Sequence, residues 1–117
     1  MSAFFVIGTD TTNDCEAMEK VYPYFGLNAE QGQGCYKFED GRVQVEICFK
    51  VPDLPAQVFD YMRTTKQESV LYVNDNGVAS LFYIDKAECL GHWQVLPADT
   101  DKPDCYSIFN GKVYVCA

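Results

Sequence analysis

The chain is poor in histidine and in basic residues. His92 is the only histidine among 117 residues, and nine Lys and Arg residues stand against 17 Asp and Glu residues. The resulting formal charge of −8 at pH 7 disfavours binding to nucleic acids and to anionic lipid surfaces. We therefore expect no direct contact with nucleic acid or membrane, and we expect a protein partner with a basic surface. The same charge can equally serve solubility alone.

Long apolar runs are also missing. No stretch approaches the ~20 apolar residues that a membrane-spanning helix needs. The apolar run at residues 3–7 is short and follows no positively charged segment, so it does not resemble a signal peptide. These features predict a cytoplasmic protein whose six cysteines are reduced. The length and the 48% hydrophobic content suit a single domain spanning 1–117, either a monomer or a homodimer.

Metal-binding patterns are absent as well. Successive cysteines are 20, 13, 41, 16 and 11 residues apart, whereas thiolate metal sites use closely spaced pairs. Asp99, Asp101 and Asp104 lack the glycine and the terminal glutamate of an EF-hand loop, so they predict a solvated acidic turn. Gly32-Gln33-Gly34 is too short to cradle a phosphate group and is interpreted as a loop. We predict no metal and no cofactor.

Catalytic pairs are equally scarce. Thiol catalysis needs a thiolate beside an imidazole, and Cys89 lies three positions before the single histidine. In a regular strand, an offset of three places two side chains on opposite faces. We therefore predict that Cys89 and His92 do not act as a pair. No carboxylates occur in a recognisable catalytic pattern either, so the sequence predicts a protein that is not an enzyme.

Turn-forming dipeptides, by contrast, are plentiful. Asn110-Gly111 suits the two positive φ angles of a type I′ hairpin turn, so residues 105–109 and 112–116 are predicted to pair. In that register Cys105 faces Cys116 at a distance that a disulfide can span, and we predict that both stay reduced in a reducing cytosol. Residues 69–73 and 78–84 are predicted to pair across a turn at residues 74–77.

The Asp40-Gly41 dipeptide predicts a third hairpin. A two-residue turn there pairs Glu39 with Arg42, Phe38 with Val43, Lys37 with Gln44 and Tyr36 with Val45. Alternate residues of the second strand are then predicted to face the core: Val43, Val45, Ile47, Phe49 and Val51. The intervening residues are predicted to face water or a partner: Arg42, Gln44, Glu46, Cys48 and Lys50.

Two helices are predicted between these strands. The first begins near Asn13, which can cap it, and ends before Pro23. Its predicted apolar face contains Cys15, Met18, Val21, Tyr22 and Phe25. The second is capped by Asp53 and is predicted to bury Leu54, Val58, Tyr61 and Met62.

A further strand at residues 90–96 completes the predicted order: strand, helix, two strands, helix and five strands. This order predicts an α+β fold. We expect a mainly antiparallel sheet of about six to eight strands with two helices packed on one face.

The functional hypothesis rests on size and charge. A small acidic domain without a catalytic pattern is typical of inhibitors that occlude a basic surface of a partner, either a nucleic-acid-binding surface or the active cleft of a toxin. This hypothesis covers three classes of protein encoded by phages or bacterial conflict loci: anti-CRISPR proteins, DNA mimics and toxin-immunity proteins. The predicted partner-binding residues are Glu16, Glu19, Asp99, Asp101 and Asp104. The alternative is a domain that binds a small molecule or a peptide in an aromatic pocket formed by Tyr72, Phe82, Tyr83, Trp93 and Tyr114.

Overall fold

The computed structural model of the protein describes residues 2–37 and 40–117. This part of the chain forms eight strands and two helices in the order predicted from the sequence. The elements are β1 (Phe4–Gly8), α1 (Asp14–Phe25), β2 (Glu30–Lys37), β3 (Val43–Pro52), α2 (Pro55–Thr65), β4 (Val70–Val73), β5 (Val78–Phe82), β6 (Ala87–Val95), β7 (Cys105–Phe109) and β8 (Lys112–Cys116).

The strands close into an antiparallel barrel. Their order around the barrel is β1-β3-β2-β7-β8-β6-β5-β4, and β1 also pairs with β4, with Phe4 opposite Val73. The predicted α+β sheet with helices on one face is therefore wrong. An open sheet with helices on one face has one core-facing side, whereas a closed barrel has a filled interior as well as an outer wall. The sequence of each strand shows where apolar and polar residues alternate. It does not indicate which distant strand pairs with it to close the barrel.

Two separate cores follow from this closure. Alternate residues of β1, Phe4 and Val6, pack inside the barrel with Cys48, Val73, Ala79 and Phe109. The intervening residues, Phe5 and Ile7, face outward and pack under the two helices with Val21, Phe49, Val58 and Tyr61. Residues on both faces of β1 are thus buried, which explains its unbroken apolar run.

The β2–β3 pairing differs from the predicted register by one residue. Lys37 lies opposite Val43, and Tyr36 lies opposite Gln44. The connection between the strands therefore contains five residues instead of two. The predicted partners Phe38 and Glu39 lie outside the described residues. Gly32 to Gly34, interpreted as a loop from sequence, lie within β2.

The faces of β3 also differ from the prediction. Ile47, Phe49 and Val51 are buried as predicted, but Val43 and Val45 are 62% and 39% exposed on the outer wall. Glu46 and Cys48, which were predicted to face water or a partner, are buried inside the barrel. The prediction failed because it assigned one buried face to a strand that has two.

The helices are partly as predicted. Asn13 caps α1 by accepting a hydrogen bond from the Glu16 N–H, but the helix continues through Pro23 to Phe25 and ends at Gly26. Its buried residues are Ala17, Val21 and Phe25, while Cys15 is exposed and Tyr22 is 55% exposed. In α2, Val58, Tyr61 and Met62 are buried as predicted. Leu54 is 39% exposed, and no side chain caps this helix.

Candidate functional site

The barrel interior contains a cavity of about 490 Å³ beside its apolar core. The β7–β8 pairing ends at Ser107 and Tyr114, although both strands continue to Cys105 and Cys116. The residues between this last pair and the open ends of the two strands line the cavity: Cys105, Tyr106, Val115 and Cys116. Residues 67–69, between α2 and β4, and Val70 at the start of β4 also line it. The volume falls in the ~300–1,000 Å³ range of small-molecule sites.

Acidic side chains dominate the charge of this cavity. Among the described residues that line it, Glu46 and Glu68 are the charged ones, and no Lys, Arg or His joins them. Glu46 is 7% exposed, whereas Glu68 lies on the exposed segment after α2. A buried carboxylate needs compensating hydrogen bonds or a cationic ligand. The cavity is therefore suited to a ligand that carries positive charge.

Backbone N–H groups hold the Glu46 carboxylate. Its Oε1 atom accepts hydrogen bonds from the Thr9 N–H at 2.9 Å and the Asp10 N–H at 2.8 Å. Asp10 adopts a left-handed conformation, with φ 56°, as the chain turns after β1. Both of these bonds end on Oε1, and no described residue donates to Oε2. Charge-assisted bonds of this kind fix a carboxylate in place, and Oε2 is left for a ligand.

Small residues make room for this carboxylate. A Cβ at Gly8 would overlap the Glu46 carboxylate, and Gly34 lies directly opposite Glu46 on β2. Glycine inside a strand often marks a close approach of other atoms. Gly8 and Gly34 are the sequence signal for the site, and the sequence reasoning missed it by interpreting Gly34 as part of a loop and Glu46 as solvent-facing.

Tyr36 lies beside Glu46 in the cavity. Its ring packs over Gly34, because a Cβ there would lie 2.9 Å from the tyrosine hydroxyl oxygen. Burial raises the pKa of this hydroxyl above its ordinary value, and the negative charge of Glu46 raises it further. Tyr36 therefore stays protonated at neutral pH and can donate a hydrogen bond to a ligand.

An aromatic pair forms another part of the cavity wall. Trp93 and Tyr114 stack with ring centroids 5.0 Å apart and an interplanar angle of 9°. The other three aromatic residues of the predicted pocket do not line this cavity. Tyr72 and Phe82 pack against Phe5 under the helices, and Tyr83 follows β5 with the Lys86 ammonium 4.8 Å from its ring centroid. Four of the five predicted aromatic residues are thus divided between the two sides of the barrel wall.

Cys105 and Cys116 line the cavity, and Cys48 is buried in the barrel core. Burial, and then the charges of Glu46 and Cys35, raise the pKa of the Cys48 thiol to about 12, so it remains a thiol. The Asn110-Gly111 turn and the Ser107–Tyr114 pair confirm the predicted hairpin register, with φ 53° and 75° at the turn. Strand pairing ends before Cys105 and Cys116, so the two are not paired in the β7–β8 ladder as predicted. Their thiols are still near each other, because burial and then the charge of Cys105 raise the pKa of Cys116. Both thiols are free, and their reduction in the cell stays a prediction.

Cys89 and His92 lie on one face, contrary to the prediction. A β-bulge near Gly91 places Cys89 opposite Ser80 and His92 opposite Val78, and these two partners lie two residues apart on β5. The bulge adds one residue, which turns an offset of three into one of two. Both side chains are exposed, and neither lines the cavity.

The predicted partner-binding residues lie away from the cavity. Glu16 and Glu19 are exposed on α1, and Asp99, Asp101 and Asp104 are exposed between β6 and β7. None of the five lines the cavity, and their role in partner binding stays a prediction.

Within residues 2–37 and 40–117, no group of three or more His, Cys, Asp or Glu residues could hold a metal ion. In the same ranges no helix is long and apolar enough to cross a membrane.

Comparison with known families gives one match. The family model described as the S-adenosylmethionine lyase family matches residues 2–117. No curated protein sequence matches the chain. The match overturns both the prediction that the chain is not an enzyme and the hypothesis of an anti-CRISPR-like, DNA-mimicking or immunity-like phage inhibitor. That hypothesis used net charge as its main signal, and net charge carries no information about a single buried carboxylate.

Proposed function

The chain belongs to the S-adenosylmethionine lyase family, and from this premise we propose that it binds S-adenosylmethionine in the barrel cavity and cleaves one of its carbon–sulfur bonds. The observation that carries the proposal is the buried Glu46 carboxylate, held by two backbone N–H groups in a cavity whose described lining has no basic side chain. S-adenosylmethionine brings two positive charges, a sulfonium and an ammonium. The cavity and this substrate are therefore complementary in charge.

The aromatic wall supports the same substrate. The adenine ring of S-adenosylmethionine has two apolar faces and can stack on a flat aromatic surface. The Trp93–Tyr114 pair offers such a surface inside the cavity. Glu46 lines the same cavity, and we assign it to the amino acid part of the substrate.

Glu46 is best used on the ammonium group of the substrate. The sulfonium loses its charge when a carbon–sulfur bond breaks, so a carboxylate beside it would stabilise the ground state more than the transition state. The ammonium keeps its charge throughout the reaction. A carboxylate that binds the ammonium therefore orients the substrate without opposing the chemical step.

The cavity favours an internal displacement. Since no described lining residue is basic, nothing there neutralises the substrate carboxylate, which is left free to act as a nucleophile. One carboxylate oxygen attacks the γ-carbon, and the electron pair of the γ-carbon–sulfur bond moves to sulfur. The products are 5′-methylthioadenosine and homoserine lactone, and the step consumes neither water nor a proton. Tyr36 can donate its hydroxyl proton in a hydrogen bond to the second carboxylate oxygen.

Desolvation would accelerate this step. The carboxylate and the sulfonium have opposite charges that partly cancel in the transition state. Water stabilises these separated charges more than the uncharged ester and thioether that replace them. An apolar wall around the reacting atoms removes that stabilisation. Leu71 and Leu81 contribute apolar surface to the cavity.

The test is product identity in isotopically labelled water. Purified protein is incubated with S-adenosylmethionine in ¹⁸O-water, and the products are identified by mass spectrometry before the lactone hydrolyses. The proposal predicts 5′-methylthioadenosine and unlabelled homoserine lactone. Homoserine with ¹⁸O in its side-chain hydroxyl would mean attack by water and would contradict the mechanism. No cleavage above a protein-free control would contradict the function.

A further inference from the structure

The two backbone N–H groups that hold Glu46 belong to two consecutive peptide units. The Thr9 N–H shares its peptide with the Gly8 carbonyl, and the Asp10 N–H shares its peptide with the Thr9 carbonyl. Each of these peptides is therefore able to pass polarisation from its carbonyl oxygen to its N–H group. Hydrogen bonds that run in series through such groups strengthen one another.

A helix side chain donates to each of these carbonyl groups. The Tyr61 hydroxyl of α2 donates to the Gly8 oxygen at 2.5 Å. The Lys20 ammonium of α1 donates to the Thr9 oxygen at 2.7 Å. Burial raises the pKa of the Tyr61 hydroxyl above its ordinary value, with a further contribution from the charge of Glu46, so this donor keeps its proton.

The two chains of hydrogen bonds run in parallel. One leads from Tyr61 through peptide 8–9 to Glu46, and the other leads from Lys20 through peptide 9–10 to the same oxygen, Oε1. The turn that carries both peptides is anchored independently, since the Thr9 hydroxyl donates to the Ile47 carbonyl at 2.7 Å. Lys20 and Tyr61 are thus not needed merely to attach this turn to β3.

We propose that Lys20 and Tyr61 are positioning residues that act on the Glu46 carboxylate through the peptides 8–9 and 9–10, so that the two helices set the strength and direction of the hydrogen bonds to Oε1. The effect on catalysis rests on the proposed function, whereas the coupling itself is a property of the ligand-free protein. Lys20 adds a positive charge that reaches Glu46 without entering the cavity. The cavity can therefore stay free of basic groups while its carboxylate remains stabilised.

The coupling is tested by nuclear magnetic resonance of the ¹⁵N-labelled, ligand-free full chain. Stronger hydrogen bonds move amide proton resonances downfield, so the Thr9 and Asp10 amides report the two bonds to Glu46 separately. Lys20→Met should shift the Asp10 amide upfield more than the Thr9 amide. Tyr61→Phe should do the reverse. Glu46→Gln should shift both amides, and Lys20→Arg should restore the Asp10 resonance toward its wild-type position.

The decisive observation is which of the two amide resonances each variant shifts. If Lys20→Met and Tyr61→Phe shift the Thr9 and Asp10 amides equally, or leave both unchanged, the coupling through separate peptides is contradicted. Melting temperatures establish that each variant is folded. Should Tyr61→Phe fail to fold, Lys20→Met and Lys20→Arg still test the chain of hydrogen bonds from Lys20 to the Asp10 amide, because neither variant changes α2.

Kinetics provide a second readout. Since Glu46 is proposed to hold the substrate ammonium, Lys20→Met and Tyr61→Phe should raise KM for S-adenosylmethionine roughly three- to tenfold, the effect of one weakened hydrogen bond. The kcat value should change less than KM. Selective amide shifts in a protein that does not cleave S-adenosylmethionine would support the coupling and contradict only the proposed function. Selective shifts with unchanged KM would contradict the positioning role.

Discussion

Gly8 and Glu46 are packed so closely that residue 8 has no room for a side chain. A Cβ at Gly8 would overlap Oε1 of Glu46 and would lie 2.9 Å from Oε2. Because the Thr9 and Asp10 N–H groups hold Oε1 at this place, the carboxylate has to move if residue 8 gains a methyl group. Glycine at this position is therefore one of the features that fix the carboxylate.

We expect Gly8→Ala to disturb both stability and substrate binding. Overpacking of this kind lowers the free energy of unfolding by ~1–3 kcal/mol, and the displaced carboxylate should raise KM for S-adenosylmethionine. Denaturant unfolding and initial rates measure the two effects.

Gly111→Ala is the matched control for Gly8→Ala. Gly111 has φ 75°, but a methyl group added there would meet no other atom within 4 Å, and the residue does not line the cavity. This variant should lose stability through backbone strain and keep its KM. A Gly8→Ala protein with wild-type KM would show that the Gly8 contact does not position Glu46.

Buried Cys48 should make the protein less stable at alkaline pH. Its pKa rises from an ordinary value of 9.0 to about 12 on folding, so between these values the unfolded chain releases a proton that the folded chain retains. The free energy of unfolding should be highest below about pH 9 and should fall as the pH rises toward 12, by up to ~1.4 kcal/mol per pH unit from this thiol. Tyr36 and Tyr61, whose pKa values are also raised, contribute with the same sign.

Denaturant unfolding between pH 7 and the alkaline range measures this slope. Cys48→Ala removes the titrating thiol and should give a shallower decline. The matched control is Cys15→Ala, because Cys15 is exposed and should keep the wild-type slope. Identical slopes for wild type and Cys48→Ala would show that the Cys48 thiol does not cause the loss of stability at alkaline pH.

The five acidic residues predicted to bind a partner should not contribute to turnover. None of these five lines the cavity, and exposed charges act mainly on association rates in a salt-dependent way. Reversal to lysine should therefore leave kcat and KM for S-adenosylmethionine unchanged at each of Glu16, Glu19, Asp99, Asp101 and Asp104. A changed KM in these variants would mean that substrate binding extends over this surface.

The sequence was sufficient where local chemistry decides the structure. The Asn110-Gly111 dipeptide adopts both predicted positive φ angles, Asn13 caps α1 as predicted, and the order of strands and helices is confirmed. These features depend on a few neighbouring residues. They are therefore readable without knowledge of the rest of the chain.

The sequence was insufficient where distant segments decide the structure. Closure of the barrel depends on pairing between β1 and β4, and burial of Glu46 depends on that closure. The bulge near Gly91 changed the relation of Cys89 to His92 by one residue. The hydrogen bonds to Glu46 come from Thr9 and Asp10, which are separated from it by 37 and 36 positions in the sequence. The site can therefore be recognised only after the chain has folded.

The most direct measurement of the central claim is kcat/KM for S-adenosylmethionine in Glu46→Gln, compared with Glu19→Gln. Glutamine keeps the size of the side chain and removes its charge, and Glu19 is an exposed glutamate on α1. Loss of a buried charged contact predicts a fall of ~10- to 100-fold for Glu46→Gln, mainly through KM, and no fall for Glu19→Gln. Equal values of kcat/KM in the wild type and both variants would contradict a catalytic site built around Glu46.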